Sequence, residues 1–503
     1  MTGARPGASA ASRLEKKMRI WAPLALIVSL GLAFAASGLG SAGKAVGPYA
    51  PVDEFAAHLD RRIPALMARY KIPGCSIALV TDGRLVWSGA YGYADLESGR
   101  VLTADTPMRV QSISKSVTAW GVMKLVEQGR LRLDAPVSQY LKNWDFPPSD
   151  FSADEITVLQ LLSHTAGLPL GDVFTIYAPG DVMPSLEEKL TREAVPEREP
   201  GSAFSYSNTG YNLLELLIEE VTGEDFSEYM AQEVLAPLGM RHSSFAWSES
   251  LAPAVPVGYD LRGKPVPPYV YPEKGSGGLF ATAQDVAAFA VAGMGRTPQA
   301  ESALGPGMRE ALHMPVREDL GVYGLVFDAY GLGHYIETLP GGERAVSHGG
   351  QGTGIMTHFH AVPETGDAIV ILTNSQRSWP FIAFVLRDWA QWRGLGSVGM
   401  GRIIWAKYGL WAAIGLIWAA SALLALRLAD SILRKKRIAA PRPMRAAQAG
   451  AAAVLTGGLI WCSCQPYLLV TSVFPRASAW LAVSALGLSA VLLWSAIYAR
   501  EKI

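Results

Sequence analysis

Three long apolar stretches near the C-terminus limit what this chain can fold into more than any other feature of its sequence. They run from about Ile404 to Leu426, from Ala449 to Val473 and from Leu481 to Tyr498. Each is close to the ~20 residues that an α-helix needs to cross a bilayer. Three stretches of this length fit poorly with buried helices of a soluble protein. We therefore predict a membrane domain with three transmembrane helices over residues 401–503.

Charge and the N-terminus indicate on which side of the membrane the rest of the chain lies. Residues 427–445, between the first two stretches, carry seven Arg or Lys residues against one Asp, so the positive-inside rule predicts a cytoplasmic loop. Residues 1–45 form a leader in which a basic start precedes an apolar run from Ile20 to about Leu39. This pattern is typical of a signal peptide, and an uncleaved anchor is the alternative. Both interpretations place residues 46–400 on the outer, periplasmic or extracellular, side.

The composition excludes some function classes. The 44 basic and 44 acidic residues balance, which leaves no electrostatic footprint for a nucleic acid, and we expect no such partner. Cys75 stands alone in the exported region, while Cys462 and Cys464 fall inside a predicted span. No disulfide framework is therefore expected.

The exported region begins and ends with strand patterns. Two alternating apolar runs joined by Asp82-Gly83 predict a β-hairpin after a helix in residues 55–74, and a second hairpin is predicted around the turn from Pro363 to Asp367. Between the hairpins the pattern is mostly helical. We predict an α/β fold in which N- and C-terminal strands share one antiparallel sheet, flanked by helices and an all-helical region.

The candidate catalytic residues lie at the start of a predicted helix from Ser112 to Gln128. Ser112 and Lys115 are three residues apart and project from one helix face. Nearly every face of this helix is apolar, which predicts burial, and an unpaired charge is costly to bury. A desolvated Lys115 with a lowered pKa would accept the proton of Ser112 and create a nucleophile. The alternative is a surface serine beside a solvated lysine, since Ser-x-x-Lys also occurs at residues 41–44 without any helical pattern.

Four further segments follow the serine motif TPMRVQSISKSVTAWGVMKLVEQG in the chain: LLSHTAGLP, FSYSNTGYNLL, GSGGLFATAQDVAAFA and SHGGQGTG. Together they resemble the serine beta-lactamase and penicillin-binding-protein superfamily, in its class C-like branch. That branch also contains esterases, D-aminopeptidases and D-alanyl-D-alanine carboxypeptidases. The resemblance covers most of residues 50–380 and implies a beta-lactamase/transpeptidase-like fold. It further implies acyl-enzyme chemistry on Ser112 with no metal or cofactor.

The resemblance implies roles for residues in two of the other segments. Tyr206 is expected to share proton transfers with Lys115, and the amide of Asn208 to hold Lys115 and the carbonyl side of the substrate. The alternative for this pair is a loop tyrosine and a helix-capping asparagine. The backbone N–H groups of Ser112 and Gln351 are expected to form an oxyanion hole.

The last segment departs from the superfamily pattern. Where relatives have Lys-Thr-Gly, this chain has His348-Gly349-Gly350, followed by Gln351. These four residues are expected to bind the substrate, because the glycines let it lie close against the strand backbone. A histidine is mostly neutral at pH 7, so it would hold a carboxylate weakly. The departure favours esterase-like or aminopeptidase-like activity over beta-lactam or carboxypeptidase activity.

Other polar residues receive structural interpretations. His358 and His360 alternate on a predicted strand, but no third ligand with helical His spacing accompanies them, and no metal site is predicted. His164 is interpreted as part of a structural turn and Asp285 as the start of a helix.

The sequence therefore predicts an exported, membrane-anchored serine hydrolase. Its expected substrate is a small-molecule ester, amide or peptide of the D-amino-acid or cell-wall type. Two alternatives use the same serine: a penicillin-sensing receptor that is acylated without turnover, and a true beta-lactamase. A third is a catalytically inert scaffold. The substrate's identity and the oligomeric state are left open.

Overall fold

The structure is a computed structural model that describes residues 46–173, 175–251, 254–297, 303–433, 442–465 and 469–497. The predicted leader, residues 1–45, lies outside the described residues. The described residues divide into two units, one that ends at Ile403 and one that begins at Ile404.

An eight-stranded antiparallel sheet forms the centre of the first unit. Its strand order is β3-β2-β1-β12-β11-β10-β9-β8, so the first and last strands of the unit are neighbours, with Ile77 opposite Ile371. This confirms the prediction that terminal strands share one sheet. The sheet strands are β1 Gly74–Thr81, β2 Arg84–Asp95, β3 Arg100–Val101, β8 Ala329–Tyr330, β9 Tyr335–Thr338, β10 Arg344–Gly352, β11 Ile355–Val362 and β12 Asp367–Thr373, and the short strands outside it are β4 Met108–Arg109, β5 Gly258–Tyr259, β6 Pro265–Val266 and β7 Phe280–Ala281.

Both predicted hairpins are present. Asp82 and Gly83 have φ of 49° and 71° and connect the pair Thr81 and Arg84. Two successive positive φ values are the geometry of the two-residue turns that match the twist of paired strands. The second hairpin joins β11 to β12, where Val362 lies opposite Asp367.

Helices cover the sheet and build the region between the two halves of the chain. A fully apolar cluster lies between the sheet and helix α2, and includes Val117, Trp120 and Phe359. The helices of this unit are α1 Val52–Tyr70, α2 Ile113–Glu127, α3 Val158–Leu162, α4 Leu186–Glu193, α5 Asn208–Thr222, α6 Phe226–Met230, α7 Ala283–Gly293, α8 Pro306–Leu312 and α9 Trp379–Trp392, with short 3₁₀ or π turns at Val137–Gln139, Ala153–Glu155, Ala231–Leu235, Gly321–Leu325 and Gly399–Gly401.

The second unit contains α10 Arg402–Leu433, α11 Arg442–Cys464, α12 Leu469–Val473 and α13 Pro475–Ile497. Three segments are long and apolar enough to cross a membrane: Gly399–Ala429, Pro443–Cys464 and Pro475–Ile497. The predicted number of membrane-capable helices is confirmed for the described residues. The second of them is shorter than the predicted span to Val473. It ends at Cys464, because Pro466 disfavours helical backbone at Gln465.

A buried ion pair joins the first and last helices of the first unit. The Oδ2 of Asp388 in α9 lies 2.9 Å from Nε of Arg62 and 3.4 Å from Nε2 of His58, both in α1. Burial alone raises the pKa of Asp388. The hydrogen bond from His58 and the charges of Arg62 and Arg387 outweigh it, so the pKa lies below its ordinary value. The carboxylate form therefore stabilises the folded state.

We predict that Asp388→Asn lowers the free energy of unfolding by roughly 3 kcal/mol, because it removes the carboxylate charge from the buried ion pair with Arg62. Since the folded pKa is depressed, this contribution is present above about pH 4, the unfolded pKa, and is lost as pH falls through the lower folded value. Thermal unfolding of the full chain in detergent at pH 7, followed by tryptophan fluorescence, measures the loss. The control is Asp134→Asn, which breaks an exposed pair with Arg132; an equal fall in both variants would contradict the prediction.

Candidate active site

Ser112 and Lys115 meet at the N-terminal end of α2. Ser112 is the residue that precedes the helix, and its Oγ lies 3.1 Å from the Nζ of Lys115. The residue before it, Gln111, has a positive φ of 54°, a conformation that non-glycine residues rarely adopt. Ser114 holds this turn by donating from Oγ to the Gln111 carbonyl at 2.6 Å. The predicted pair therefore lies on a strained, well-anchored turn, which is common at functional sites.

Lys115 is fully buried, and its partners are neutral acceptors. Its Nζ donates to Oδ1 of Asn208 at 2.7 Å and to the carbonyl of Ser276 at 2.7 Å. Within the described residues no carboxylate lies within ion-pairing distance of it. Burial without a counter-charge holds the pKa of Lys115 well below its usual value.

The Ser276 carbonyl was missed by the sequence reasoning, because any residue supplies a carbonyl and only the fold decides where it points. The carboxylate of Glu215, in α5, accepts the backbone N–H groups of Lys274 and Gly275 at 2.6 and 2.7 Å. Thr118, in α2, donates to the Gly275 carbonyl at 2.9 Å. Burial raises the pKa of Glu215 to about 8, while the two backbone donors act in the opposite direction. These contacts fix the loop that presents the Ser276 oxygen to Lys115.

The Tyr206-Ser207-Asn208 motif lies at the start of α5. Ser207 caps the helix by accepting the N–H of Gly210 at 2.9 Å, so capping is not the role of Asn208. The Asn208 side chain instead faces Lys115, and the half-buried ring of Tyr206 has its centroid 5.1 Å from the Lys115 Nζ. The structure thus brings together the two predicted motifs from residues about ninety positions apart in sequence.

His164 supports this motif from behind. It has a positive φ of 57°, its Nδ1 accepts the N–H of Ser207 at 3.2 Å, and its ring centroid lies 4.4 Å from that of Tyr206. Burial, together with the nearby charge of Lys115, holds the pKa of His164 well below its usual value. The predicted structural role fits these contacts, and the contact with Tyr206 makes His164 a positioning residue of the site.

His348 is buried on β10 and uses both ring nitrogens within the fold. Nδ1 lies 2.8 Å from the Gly349 carbonyl, so it must carry the hydrogen, and Nε2 then accepts from the hydroxyl of Tyr330 at 3.3 Å. Burial is the main cause that holds the pKa of His348 well below its usual value, and the charge of Lys115 adds to it. A neutral imidazole therefore occupies the position at which the superfamily pattern Lys-Thr-Gly has its lysine.

The glycines of β10 let the strand approach the serine turn closely. A Cβ at Gly350 would overlap the Val110 carbonyl and Oγ1 of Thr357, and one at Gly352 would overlap the side chain of Gln111. Pairing of β10 with β9 covers only Arg344–Ser347. In the described part of the chain, residues 348–352 thus pair with β11 but not with β9.

Gln351, the last predicted substrate-binding residue, lies on this part of β10. Its side chain is half-buried, and its Oε1 accepts the indole N–H of Trp379 at 2.8 Å. The Oε1 end of the side chain is therefore turned toward α9.

The remaining polar residues lie elsewhere. His348 lies opposite Phe359, so His358 and His360 point to the other face of the sheet. Glu337 lies 3.3 Å from His360, yet the described residues hold no group of three or more His, Cys, Asp or Glu placed to bind a metal ion. Asp285 lies inside the first turn of α7, and the residue that caps that helix is Thr282.

Comparisons with known proteins agree on one family. Residues 59–383 match the family model described as Beta-lactamase. Penicillin-binding protein 4 of Amycolatopsis lactamdurans is 27% identical over 344 residues, which cover 66% of this chain and 88% of that protein. The structure of the octameric penicillin-binding protein homologue from Pyrococcus abyssi superposes with a TM-score of 0.58 at 30% identity, covering 68% of this chain and 78% of the other.

Other relatives match over a shorter region. Protein flp of Staphylococcus aureus (strain N315) is 30% identical over 208 residues, which are 41% of this chain and 41% of that protein. The chain therefore spans about two fifths of the length of this relative.

We predict that Gly350→Ala slows labelling of the candidate serine by a fluorophosphonate probe roughly 100-fold, because the added methyl group displaces β10 from the serine turn and such small misplacements are costly. The full chain in detergent is labelled and the rate followed by gel fluorescence. The control is Gly307→Ala, at a helical glycine where a Cβ meets nothing within 4 Å. Unchanged labelling of the Gly350→Ala protein would contradict the prediction.

Proposed function

The chain belongs to the Beta-lactamase family, and from this we propose that it is a membrane-anchored serine hydrolase that cleaves an ester or amide through an acyl-enzyme on Ser112. The observation that carries the proposal is the 3.1 Å contact between the Ser112 Oγ and a fully buried Lys115 Nζ. We further propose that the catalytic unit lies on the outer side of the membrane, as the charge pattern of the sequence predicts.

The hydrogen bonds of Lys115 indicate which group moves the proton. A neutral amine has two N–H donors and one lone pair. Asn208 Oδ1 and the Ser276 carbonyl can only accept, and they are the two shorter contacts. The lone pair then faces the hydroxyl of Ser112, which is the longer contact and the only partner able to donate. Neutral Lys115 is therefore oriented as the general base for Ser112.

In the proposed reaction, Lys115 takes the hydroxyl proton while Ser112 Oγ bonds to the substrate carbonyl carbon. The carbonyl oxygen becomes negative and is held by the backbone N–H groups of Ser112 and Gln351, each typically worth about 3 kcal/mol. The proton then passes to the leaving alcohol or amine, by way of Tyr206, as the carbon–leaving-group bond breaks. Water attacks the acyl-enzyme, gives up a proton to the same base and restores Ser112 with release of the acid.

The substrate is proposed to lie along residues 348–352 of β10, beyond the part of the strand that pairs with β9. Gly349 and Gly350 allow its backbone or acyl chain to approach, and Asn208 is close enough to Lys115 to contact the carbonyl side as well. Neutral, internally bonded His348 offers no positive charge to a substrate carboxylate. This supports esters and amides without an adjacent carboxylate over penicillins and peptides with a free C-terminus.

We predict that the full chain in detergent hydrolyses a short-chain p-nitrophenyl ester or a D-amino-acid p-nitroanilide, with little turnover of a chromogenic cephalosporin. Ser112→Ala is expected to abolish hydrolysis while thermal unfolding is unchanged, and Lys115→Ala to fail similarly because the serine loses its base. Strong cephalosporin turnover would indicate a beta-lactamase. One equivalent of acylation without turnover would indicate a receptor. Full activity in Ser112→Ala would end the mechanism.

The pH dependence follows from the state of Lys115. The active form is the neutral amine, and burial lowers the pKa of Lys115. Activity is therefore expected to rise with pH through this lowered pKa and to reach its plateau well below pH 10.5. A kcat/KM profile of the p-nitrophenyl ester, corrected for spontaneous hydrolysis, measures the acidic limb. A rate that keeps rising up to pH 10.5 would contradict the assignment of Lys115 as base.

A further inference from the structure

One short segment connects the candidate site with the beginning of the first candidate membrane span. Residues 321–326, here called the rim segment, consist of a 3₁₀ turn and its next residue. Its Tyr323 packs on the catalytic side, where its ring centroid lies 5.6 Å from that of Tyr206 and 5.7 Å from that of Tyr335. Tyr323 is therefore the residue of the rim segment that forms part of the wall beside Tyr206.

The other end of the rim segment contacts the residues that begin the span Gly399–Ala429. Arg402 donates from Nη1 to the Leu325 carbonyl at 3.4 Å. Gly399 packs so closely on the Val326 carbonyl that a Cβ would overlap it, and its N–H donates to Oε2 of the buried Glu337 at 2.7 Å. Tyr323 and Leu325 are two residues apart, so at most about 7 Å separates their Cα atoms. The wall of the site and the start of the span are thus neighbours within one unit.

The side chains of the rim segment that face outward are apolar. Val322 is 51% exposed and Leu325 is 68% exposed, and no residue of the turn is buried. Trp405, three residues after Arg402, is 76% exposed. Tryptophans concentrate at the membrane–water boundary, so the boundary is expected at the level of residues 402–405. Leu325, whose carbonyl accepts a hydrogen bond from Arg402, is thus a direct neighbour of the first residue of α10.

We propose that the rim segment inserts Val322 and Leu325 into the outer lipid boundary, and that the substrate of the Ser112 site is an amphiphilic ester or amide carried by the membrane. The inference rests on the proposed function and narrows its substrate class. The occupant of this apolar surface is the bilayer, because the segment is tied by Gly399 and Arg402 to a span that enters it. A substrate held in the outer leaflet would reach Tyr206 and Ser112 past Tyr323.

The charges near the rim segment indicate whether its contact with lipid is apolar or electrostatic. The exposed carboxylates of Glu318 and Asp319 precede it, and Arg402 is the cation that contacts it. This is no basic cluster of the kind that anionic lipids attract. The contact is therefore apolar, and high salt should leave it intact.

The first test compares two substrates for the full chain in phosphatidylcholine vesicles. The rim variant V322S/L325S is expected to cleave soluble p-nitrophenyl acetate like the wild type, and to cleave 4-methylumbelliferyl oleate dissolved in the bilayer roughly tenfold more slowly, since serine removes the apolar contact. The control is L96S/V101S, which alters side chains of matching exposure, 51% and 62%, at the opposite edge of the sheet.

The outcomes separate the two proposals. Acetate turnover that survives Ser112→Ala overturns the proposed function itself. A second outcome is that acetate turnover requires Ser112 while the rim variant, the control and the wild type cleave the oleate at equal rates. This outcome overturns the proposal that the rim segment inserts into the lipid boundary. Wild-type protein that fails to cleave the bilayer-borne ester overturns the substrate class.

A second measurement reads the contact without activity. Leu325→Cys and, as a control, Leu96→Cys are labelled with a nitrobenzoxadiazole dye in a Cys462→Ser/Cys464→Ser background; Cys75 is buried and does not react. Vesicles with spin-labelled lipid are expected to quench the dye at residue 325 and leave that at residue 96 bright, at both low and high salt. Equal quenching at the two positions, or loss of quenching in high salt, overturns the apolar contact.

Discussion

The fully buried amine of Lys115 is the constraint on which the rest of the catalytic unit depends. An amine in such a place is tolerated only if its hydrogen bonds are made, because an unpaired polar group in the interior is costly. Its acceptors come from residues 93 and 161 positions further along the chain. Helix α5, the loop after Lys274 and the start of α2 must therefore meet at one point. Glu215 and Thr118 hold that loop in place, and the site is preorganised because the fold cannot otherwise bury Lys115.

The second requirement is close approach of a strand to the serine turn. A β-strand normally carries a side chain at every position, and these would keep β10 away from residues 110–112. Glycine at positions 350 and 352 removes that obstacle, while the strand pairs with β11 along residues 346–352. Since β11 pairs with β12 and β12 with β1, the position of this strand depends on the sheet that joins both ends of the unit.

The sequence predicted what is local or repeated and missed what depends on distant backbone. Asp82-Gly83 is a turn by its own chemistry, so it was found from the residues alone. Ser112 and Lys115 are one helical turn apart, but this spacing is weak by itself, and the pair was selected only because four further segments carry the family resemblance. The Ser276 carbonyl and the contact of His164 with Ser207 leave no trace in residue types. The second membrane-capable helix ends at Cys464 although the composition stays apolar beyond it, so hydropathy alone does not show where the helix stops. The sequence did not identify Tyr323 as a residue beside the site, because only the folded structure shows that it packs against Tyr206.

The neutral His348 and the apolar rim segment point to the same kind of substrate. A site that binds a carboxylate profits from a cation on β10 and from water-exposed, polar walls. Here the imidazole is closed off by Gly349 and Tyr330, and the wall next to Tyr206 ends in two exposed apolar side chains. An ester or amide of a membrane amphiphile needs no cation to hold it, because its acyl chain supplies binding energy of about 0.8 kcal/mol per buried methylene. Binding of such a substrate is not weakened by a neutral His348 in place of a lysine. The same substrate therefore accounts for both the neutral His348 and the apolar rim segment.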